Sequence, residues 1–456
     1  MKRIGNRARF LSVVMIYFLI CSAMFLIKYV KSAPVWVAHP ANKNVYSNGM
    51  LKSPGSVTLK DDTELFLSTM DGKSYSTDLN LRKATLHSVG DLYGNITTGV
   101  LKSQRLKFMG YDYLSGVYSV GDAGSTIRLT LDAATCKAAL KGLGSRKGTV
   151  GVYNYKTGAI LCMVSSPSYD PMKIPDFNKH SNTYDGVYIN RLMNGVYTPG
   201  SVFKLITAAA AIDHINDLDS RTFQCNGYAE IGGERVNCAG KHGKLNFKTA
   251  LAKSCNTVFA QIATELGGDI LEEYAIKAGV KRGYTVNGAV TARGRFNVAD
   301  AAEVNLAWSG IGQYTDLVNP FNYMVFMGAI ASGGQAKMPY YIHSITSSLG
   351  LPSYFNLHGQ APRMLDADTA NTLKTLMRNN VESEYGDSRF KNMALCAKTG
   401  TAEVESGKQP HAWFVGFSDN PDTPLAFVVV VENSGSGKGV ALPIAQSVMA
   451  EAVKTF

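Results

Sequence analysis

Ser201 and Lys204 stand three residues apart in Tyr197-Thr198-Pro199-Gly200-Ser201-Val202-Phe203-Lys204, and this spacing is the first place where the chain could do chemistry. A Pro-Gly turn leads into Leu205 to Ile212, a run of alanines and large apolar residues that predicts a helix buried on nearly every side. Residues three apart share a helical face, so the lysine lies one turn beyond the serine. A buried lysine must find a partner or give up its proton, because burial disfavours its charged form. Left neutral beside a serine hydroxyl, it is a general base beside a nucleophile. The competing reading is a packed stem whose ammonium reaches solvent. This stretch alone does not choose between them.

Two further short patterns carry the choice: Ser-x-Asn and Lys-Thr-Gly. Every pattern occurs twice, as Ser201/Lys204 and Ser388/Lys391, as Ser254/Asn256 and Ser418/Asn420, and as Lys-Thr-Gly starting at Lys156 and at Lys398. Order separates them. Only Ser201, then Ser254, then Lys398 runs as nucleophile, second serine and lysine strand. Starting from Ser388 leaves no Lys-Thr-Gly downstream, and Ser418 lies beyond both copies. Ser418-Asp419-Asn420-Pro421-Asp422 reads as a turn between strands, built from residues that favour turns for backbone reasons. Lys156-Thr157-Gly158 is likewise the turn of a hairpin, whereas Lys398 ends the apolar strand Met393 to Ala397.

The elements that must position these groups follow in order. Residues 31–126 are polar and Gly/Ser-rich, with short alternating runs at Leu65-Phe66-Leu67 and Val117-Tyr118-Ser119-Val120, and read as a small strand-containing region without a catalytic cluster. Ile127 to Asp132 is a predicted strand that ends at a helix cap, and Ala133 to Leu143 the helix; the main domain boundary is set there, giving 127–456 as one domain. Gly148 to Tyr155 and Ala159 to Val164 form the hairpin, Ser165 to Tyr197 is loop-like, and 213–250 is irregular. Helices are predicted at Thr257 to Leu266, Val298 to Trp308, Phe321 to Ala331, Asp366 to Arg378 and Leu442 to Val453, with strands at Ala412 to Phe417 and Leu425 to Val431. A mixed sheet with helices packed on it makes the fold class α+β.

Length and composition frame this reading. The 456 residues, 45% hydrophobic and 18% charged, suit a globular chain of two or three domains. A net charge of +11 admits nucleic acid, anionic lipid or an anionic wall polymer as partner, but no dense basic stripe interleaved with aromatics supports nucleic acid. Phe10 to Ile27 is 18 residues without a charge, long enough to cross a bilayer, and Lys2, Arg3, Arg7 and Arg9 precede it. Residues 10–30 therefore read as a transmembrane helix rather than a cleaved signal peptide, with 1–9 a basic cytoplasmic tail and the remainder outside the membrane. That topology removes nucleic acid as a partner. Cys225 and Cys238 bracket Ile231-Gly232-Gly233 and are expected to form a disulfide, two facing free thiols being the alternative. Cys136, Cys162, Cys255 and Cys396 read as small buried apolar residues, and with neither a CxxC pair nor HExxH no metal or other cofactor is expected.

With the ordered triple, residues 125–456 resemble a class B penicillin-binding protein, a membrane-anchored D,D-transpeptidase of peptidoglycan synthesis. Leu129-Thr130-Leu131-Asp132, Met163 to Pro167, Tyr197 to Gly200, His242-Gly243, Gly312-Gln313 and His411 to Phe417 add to the resemblance. It implies the fold of serine β-lactamases and transpeptidases, and roles for particular residues. Ser201 attacks the carbonyl of a D-Ala-D-Ala stem, Lys204 takes its proton, and Ser254 relays a proton to the leaving amine. Asn256 holds the substrate amide, and Lys398, Thr399, Gly400 and Thr401 receive the terminal carboxylate. The N–H groups of Ser201 and Thr401 form the oxyanion hole. β-Lactams are the implied inhibitors and a polytopic glycan polymerase the implied partner. The N-terminal region departs from the family: Gly55-Ser56-Val57-Thr58-Leu59 stands where Gly-x-Ile-x-Asp-Arg-x-Gly is usual, and the short interval leaves no space for a glycosyltransferase domain.

Two other readings stay open. A β-lactamase-like hydrolase shares the triple but needs a base for water. The class A pattern asks for a glutamate after the second motif, where Glu303 stands in a helical pattern, and the class D patterns do not fit Ser254-Cys255-Asn256 or the early Tyr93-Gly94-Asn95. A penicillin-sensing receptor or non-catalytic scaffold is the other, opposed by the intact triple.

Overall fold

A computed structural model describes residues 2–37, 39, 46–47, 50–51, 55–69, 71–108, 124–347, 350–357, 359–404 and 407–456. Val117 to Val120, one of the two alternating runs in the early region, lies outside the described residues; the other, Leu65 to Leu67, falls within the strand Glu64–Ser68.

The central element is an antiparallel five-stranded sheet in the order Leu395–Ala402, His411–Ser418, Leu425–Val431, Gly148–Asn154, Ile160–Ser166. Its middle strand, Leu-Ala-Phe-Val-Val-Val-Val, is buried at every position. A continuous β-branched run of this kind marks a strand covered on both faces. Pro320–Ala331 supplies one cover, and Ala133–Leu143 with Leu442–Ala452 supplies another. The helix Ala133–Leu143 begins as read, with the Asp132 carboxylate accepting the Thr135 N–H at 2.7 Å. Pro320–Ala331 starts with proline in its first turn and with Asn319 capping the Asn322 N–H at 3.2 Å. The fold is the expected α+β sheet-and-helix arrangement.

A second sheet of six strands runs Pro352–Phe355, Ile342–Thr346, Ser125–Leu129, Gly55–Leu59, Glu64–Ser68, Lys73–Tyr75. Gly55–Leu59 lies parallel to Ser125–Leu129, and Ile342–Thr346 joins from far downstream. Strands from both sides of position 126 thus share one sheet, and Ser125–Leu129 crosses that position.

Several elements differ from the sequence reading. Residues 213–250, expected to be irregular, hold two small ribbons, Phe223–Cys225 with Gly243–Leu245 and Tyr228–Ile231 with Glu234–Asn237. The helix expected from Val298 begins only at Glu303: the Ala301 N–H closes a separate turn onto Val298 O at 3.1 Å, and Ala302 with ψ 150° is extended. The short helices Ser181–Tyr184 and Arg191–Asn194 interrupt the loop-like stretch. The N-terminal helix Lys2–Val37 contains Arg3–Ala33, 31 residues long and apolar enough to cross a membrane.

Candidate active site

Ser201 sits in a single tight turn, Gly200–Val202, that feeds directly into the helix Lys204–His214. Two glycines permit the turn. Gly200 has φ +56°, and a Cβ there would lie 2.5 Å from the Thr401 carbonyl oxygen. Gly312 has φ +82°, and a Cβ there would lie 2.1 Å from the Gly200 oxygen, while its own carbonyl accepts the Gly200 N–H at 2.8 Å. The chain before the turn is tied down as well. Thr198 O accepts from the Trp413 indole at 3.0 Å. Tyr197 donates to Glu432 at 2.9 Å, and Glu432 is paired at 2.7 Å with the buried Arg191.

Lys204 is fully buried. Its Nζ lies 2.7 Å from Ser201 Oγ, 2.7 Å from Asn256 Oδ1, 3.1 Å from the Ser254 carbonyl oxygen and 3.4 Å from Ser254 Oγ. Asn256 is oriented by its other side-chain atom, since Nδ2 donates to Asn237 O at 3.0 Å. Two of the lysine's neighbours, an amide oxygen and a carbonyl, can only accept. A neutral amine spends both its N–H bonds on them and turns its lone pair to the Ser201 hydroxyl, which donates. Burial drives the protonation in the same direction, bringing the Lys204 ammonium down to about 7 against a smaller opposing pull from Cys238 and Cys255.

Ser254, held at φ +54°, lies between two amines. Lys398 Nζ donates to Ser254 Oγ at 2.9 Å and to Thr399 O at 2.9 Å. Lys398 is also fully buried, and burial, then the nearby Lys204, hold it well below the usual lysine range. It lies on Leu395–Ala402, the edge strand of the central sheet. Gly400 lets that strand meet the serine turn: a Cβ there would stand 2.9 Å from Pro199 O and 2.9 Å from Val202 Cγ1. Thr399 N–H donates to the Tyr385 hydroxyl at 3.1 Å, and the exposed Thr401 accepts the Gly437 N–H on its hydroxyl at 3.3 Å.

The fold thus gathers Ser201, Lys204, Ser254, Asn256 and Lys398 into one hydrogen-bonded group, with Thr399, Gly400 and Thr401 continuing the same strand. It leaves the second copies apart. Ser388 and Lys391 are exposed beside a single turn, Asp387–Arg389. The Ser418 hydroxyl is buried against Met393 O and Thr423, and Lys156 donates to Pro421 O at the surface. Glu303 is exposed in the first turn of its helix. Asn256, expected at the substrate amide, bridges Lys204 and Asn237 in the structure. Tyr385, Arg191 and Glu432 were not singled out from sequence, and Trp413 entered only as part of the stretch His411 to Phe417; no spacing links them to the motifs they hold.

One expectation about cysteines is corrected. All seven thiols are free, so no bond joins Cys225 to Cys238. The two thiols converge instead with His242 and Cys255, four groups that could hold a metal ion, where none was expected. Carried on a strand end, two loop positions and a helix cap, they form no CxxC pattern.

A sequence profile described as "Penicillin binding protein transpeptidase domain" matches residues 148–450. Peptidoglycan D,D-transpeptidase PbpA of Mycolicibacterium smegmatis is 28% identical over 361 residues, 73% of this chain and 73% of the relative. Peptidoglycan D,D-transpeptidase MrdA of Haemophilus influenzae is 25% identical over 369 residues, 72% of this chain and 56% of that one. Among solved structures, the D,D-transpeptidase domain of a peptidoglycan glycosyltransferase from Eggerthella lenta superposes with TM-score 0.76 at 24% identity, covering 89% of this chain and 99% of that one. Penicillin-binding protein A from M. tuberculosis, as a ceftriaxone acyl-enzyme, gives 0.76 at 22% identity, over 88% and 98% of the two chains.

Proposed function

The chain belongs to the penicillin-binding protein transpeptidase family, and we propose that Ser201 is the nucleophile through which it acts as a class B peptidoglycan D,D-transpeptidase. The observation that carries the reading is the amine of buried Lys204, 2.7 Å from Ser201 Oγ and also within reach of two groups that can only accept, Asn256 Oδ1 at 2.7 Å and Ser254 O at 3.1 Å.

Ser201 Oγ attacks the carbonyl carbon of the penultimate D-Ala of a stem peptide as its proton passes to Lys204. The tetrahedral oxyanion is received by the N–H groups of Ser201 and Thr401. Collapse of the intermediate breaks the peptide bond, and the departing amine takes its proton by way of Ser254, which touches both lysines. The terminal D-Ala carboxylate lies along Lys398, Thr399 and Thr401. The lysine strand is a sheet edge, so an extended stem peptide can align beside it. The amine of a second stem then attacks the acyl-enzyme, returning Ser201. β-Lactams acylate the same serine. None of the described hydrogen bonds around Ser201, Lys204 and Ser254 involves Glu303, which supports transfer over hydrolysis, because a water-activating base must be held at the acyl carbonyl.

The helix Arg3–Ala33 anchors the protein in the membrane, with the basic N-terminus cytoplasmic and the catalytic residues outside. A polytopic glycan polymerase in the same membrane makes the strands that it cross-links.

Labelling of the full-length protein with fluorescent penicillin tests this reading. The wild type and Ser388→Ala form a covalent adduct that lasts many minutes, and Ser201→Ala forms none. Labelling that survives Ser201→Ala refutes the assignment, and rapid penicillin turnover that is lost in Glu303→Gln makes the protein a hydrolase.

A further inference from the structure

Cys225, Cys238, His242 and Cys255 each bring one ligating atom into a group whose members all lie within 4.8 Å of one another. They arrive on separate pieces of chain. Cys225 ends the strand Phe223–Cys225, Cys238 follows Glu234–Asn237, His242 precedes Gly243–Leu245, and Cys255 caps the helix Asn256–Leu266. His242 Nδ1 is 3.6 Å from Cys225 Sγ and 3.5 Å from Cys238 Sγ, and Cys238 Sγ is 3.8 Å from Cys255 Sγ. A tetrahedral zinc ion with Zn–S of about 2.3 Å and Zn–N of about 2.05 Å sets S···S edges of about 3.75 Å and S···N edges of about 3.55 Å. The three distances fall on those edges.

We propose that these four side chains bind one Zn2+ ion as a structural Cys3His site that positions Ser254 and Asn256. Thiols are weak hydrogen-bonding groups, and their mutual contacts do little to hold three sulfurs and an imidazole together. The surrounding backbone does little more. Residues 223–245 are two short two-stranded ribbons, an architecture marginal by itself in water. A closed four-ligand zinc site pins the ends of both ribbons to the start of the helix and contributes folding energy directly. Three thiols release their protons as the ion binds, and His242 ligates through a neutral nitrogen.

The link to catalysis is covalent. Cys255 is the residue between Ser254 and Asn256. The Asn256 N–H donates to Cys238 Sγ at 3.3 Å, and its side chain donates to Asn237 O, next to Cys238. The φ +54° at Ser254 is uncommon for a residue with a side chain, and fixed neighbours are what hold such a conformation. The metal thus locks the motif that supplies Lys204 with two of its acceptors.

Metal analysis of the detergent-solubilised full-length protein is expected to give one zinc per chain. Replacement by Co2+ is expected to give the intense thiolate-to-metal charge-transfer absorption and visible bands of a tetrahedral site. Removing the ion with a chelator lowers Tm and slows acylation by fluorescent penicillin about tenfold to a hundredfold, and Zn2+ alone restores both. His242→Ala and, separately, Cys225→Ser lose the stoichiometric metal. Should either variant fail to fold, the wild-type zinc content and cobalt spectrum still decide. Wild-type protein without stoichiometric zinc after incubation with Zn2+, a cobalt spectrum lacking thiolate charge transfer, or a Cys225–Cys238 disulfide in the intact mass overturns the proposal. The zinc content, the cobalt spectrum and the intact mass do not depend on Ser201 being the nucleophile.

Discussion

Raising the pH of an acylation assay from about 6 to about 8 is expected to speed the reaction of Ser201 with penicillin about tenfold, as Lys204 loses its proton. The magnitude follows from the burial that brings this lysine to about 7. At pH 6 about a tenth of the molecules carry the neutral amine and at pH 8 about nine tenths do, and only the neutral form can accept the serine proton. The groups facing Lys204 set the position of the inflection. Lys398, across Ser254, is itself pushed down by burial and by Lys204, whereas Cys238 and Cys255 pull Lys204 upward. The assay is the second-order rate constant with subsaturating fluorescent penicillin, which reports the free enzyme. Lys204→Arg, whose guanidinium stays protonated, lowers the rate by about 10²–10⁴ and removes the inflection. A rate that is flat across this range, an inflection that survives in Lys204→Arg, or one displaced above about pH 9 shows that Lys204 is not the base.

Two further outcomes follow. The unfolded chain holds a proton on Lys204 that the native state has lost between pH 7 and the ordinary lysine range, so native stability rises with pH through that window; relative to Lys204→Met, the wild type gains about 2 kcal/mol between about pH 7 and 9 in denaturant titrations, and an unchanging difference contradicts the buried neutral amine. Gly312→Ala puts a Cβ 2.1 Å from Gly200 O at φ +82°, so it costs about 2–4 kcal/mol of stability and slows acylation by displacing the serine turn; wild-type rates and Tm would show that the two turns do not constrain each other.

What the sequence made legible was local or ordered. The helix Ala133–Leu143 was readable because its cap, Asp132, is adjacent to it. The Ser201, Ser254 and Lys398 constellation was readable because chemistry demands those residue types in one chain order, and the decoys at Ser388 and Ser418 failed on that order. The six-stranded sheet was not legible. The pairing of Gly55–Leu59 with Ser125–Leu129 is parallel and non-local, and Ile342–Thr346 arrives from more than two hundred residues downstream, so no turn signal announces either partner. The grouping of Cys225, Cys238, His242 and Cys255 was hidden for a similar reason. Two ribbons must fold before the four side chains become neighbours, and the Gly232-Gly233 turn that suggested a disulfide shapes only one of them.

Function here is held in arrangements that cost stability, which explains why so much of the surrounding structure is devoted to fixing a few atoms. Two amines are buried a hydroxyl apart, each kept from its preferred charged state, and neither has a carboxylate among the partners described above. An acidic partner would stabilise Lys204, but it would also keep the lysine protonated and so useless as a base. The partners it has, an amide oxygen, a backbone carbonyl and two hydroxyls, orient the amine without paying it to stay charged. Stability must then come from outside the group. It comes from the fully buried strand Leu425–Val431, from the Arg191–Glu432 pair that steadies Tyr197, and from whatever fastens the ribbons to Cys255.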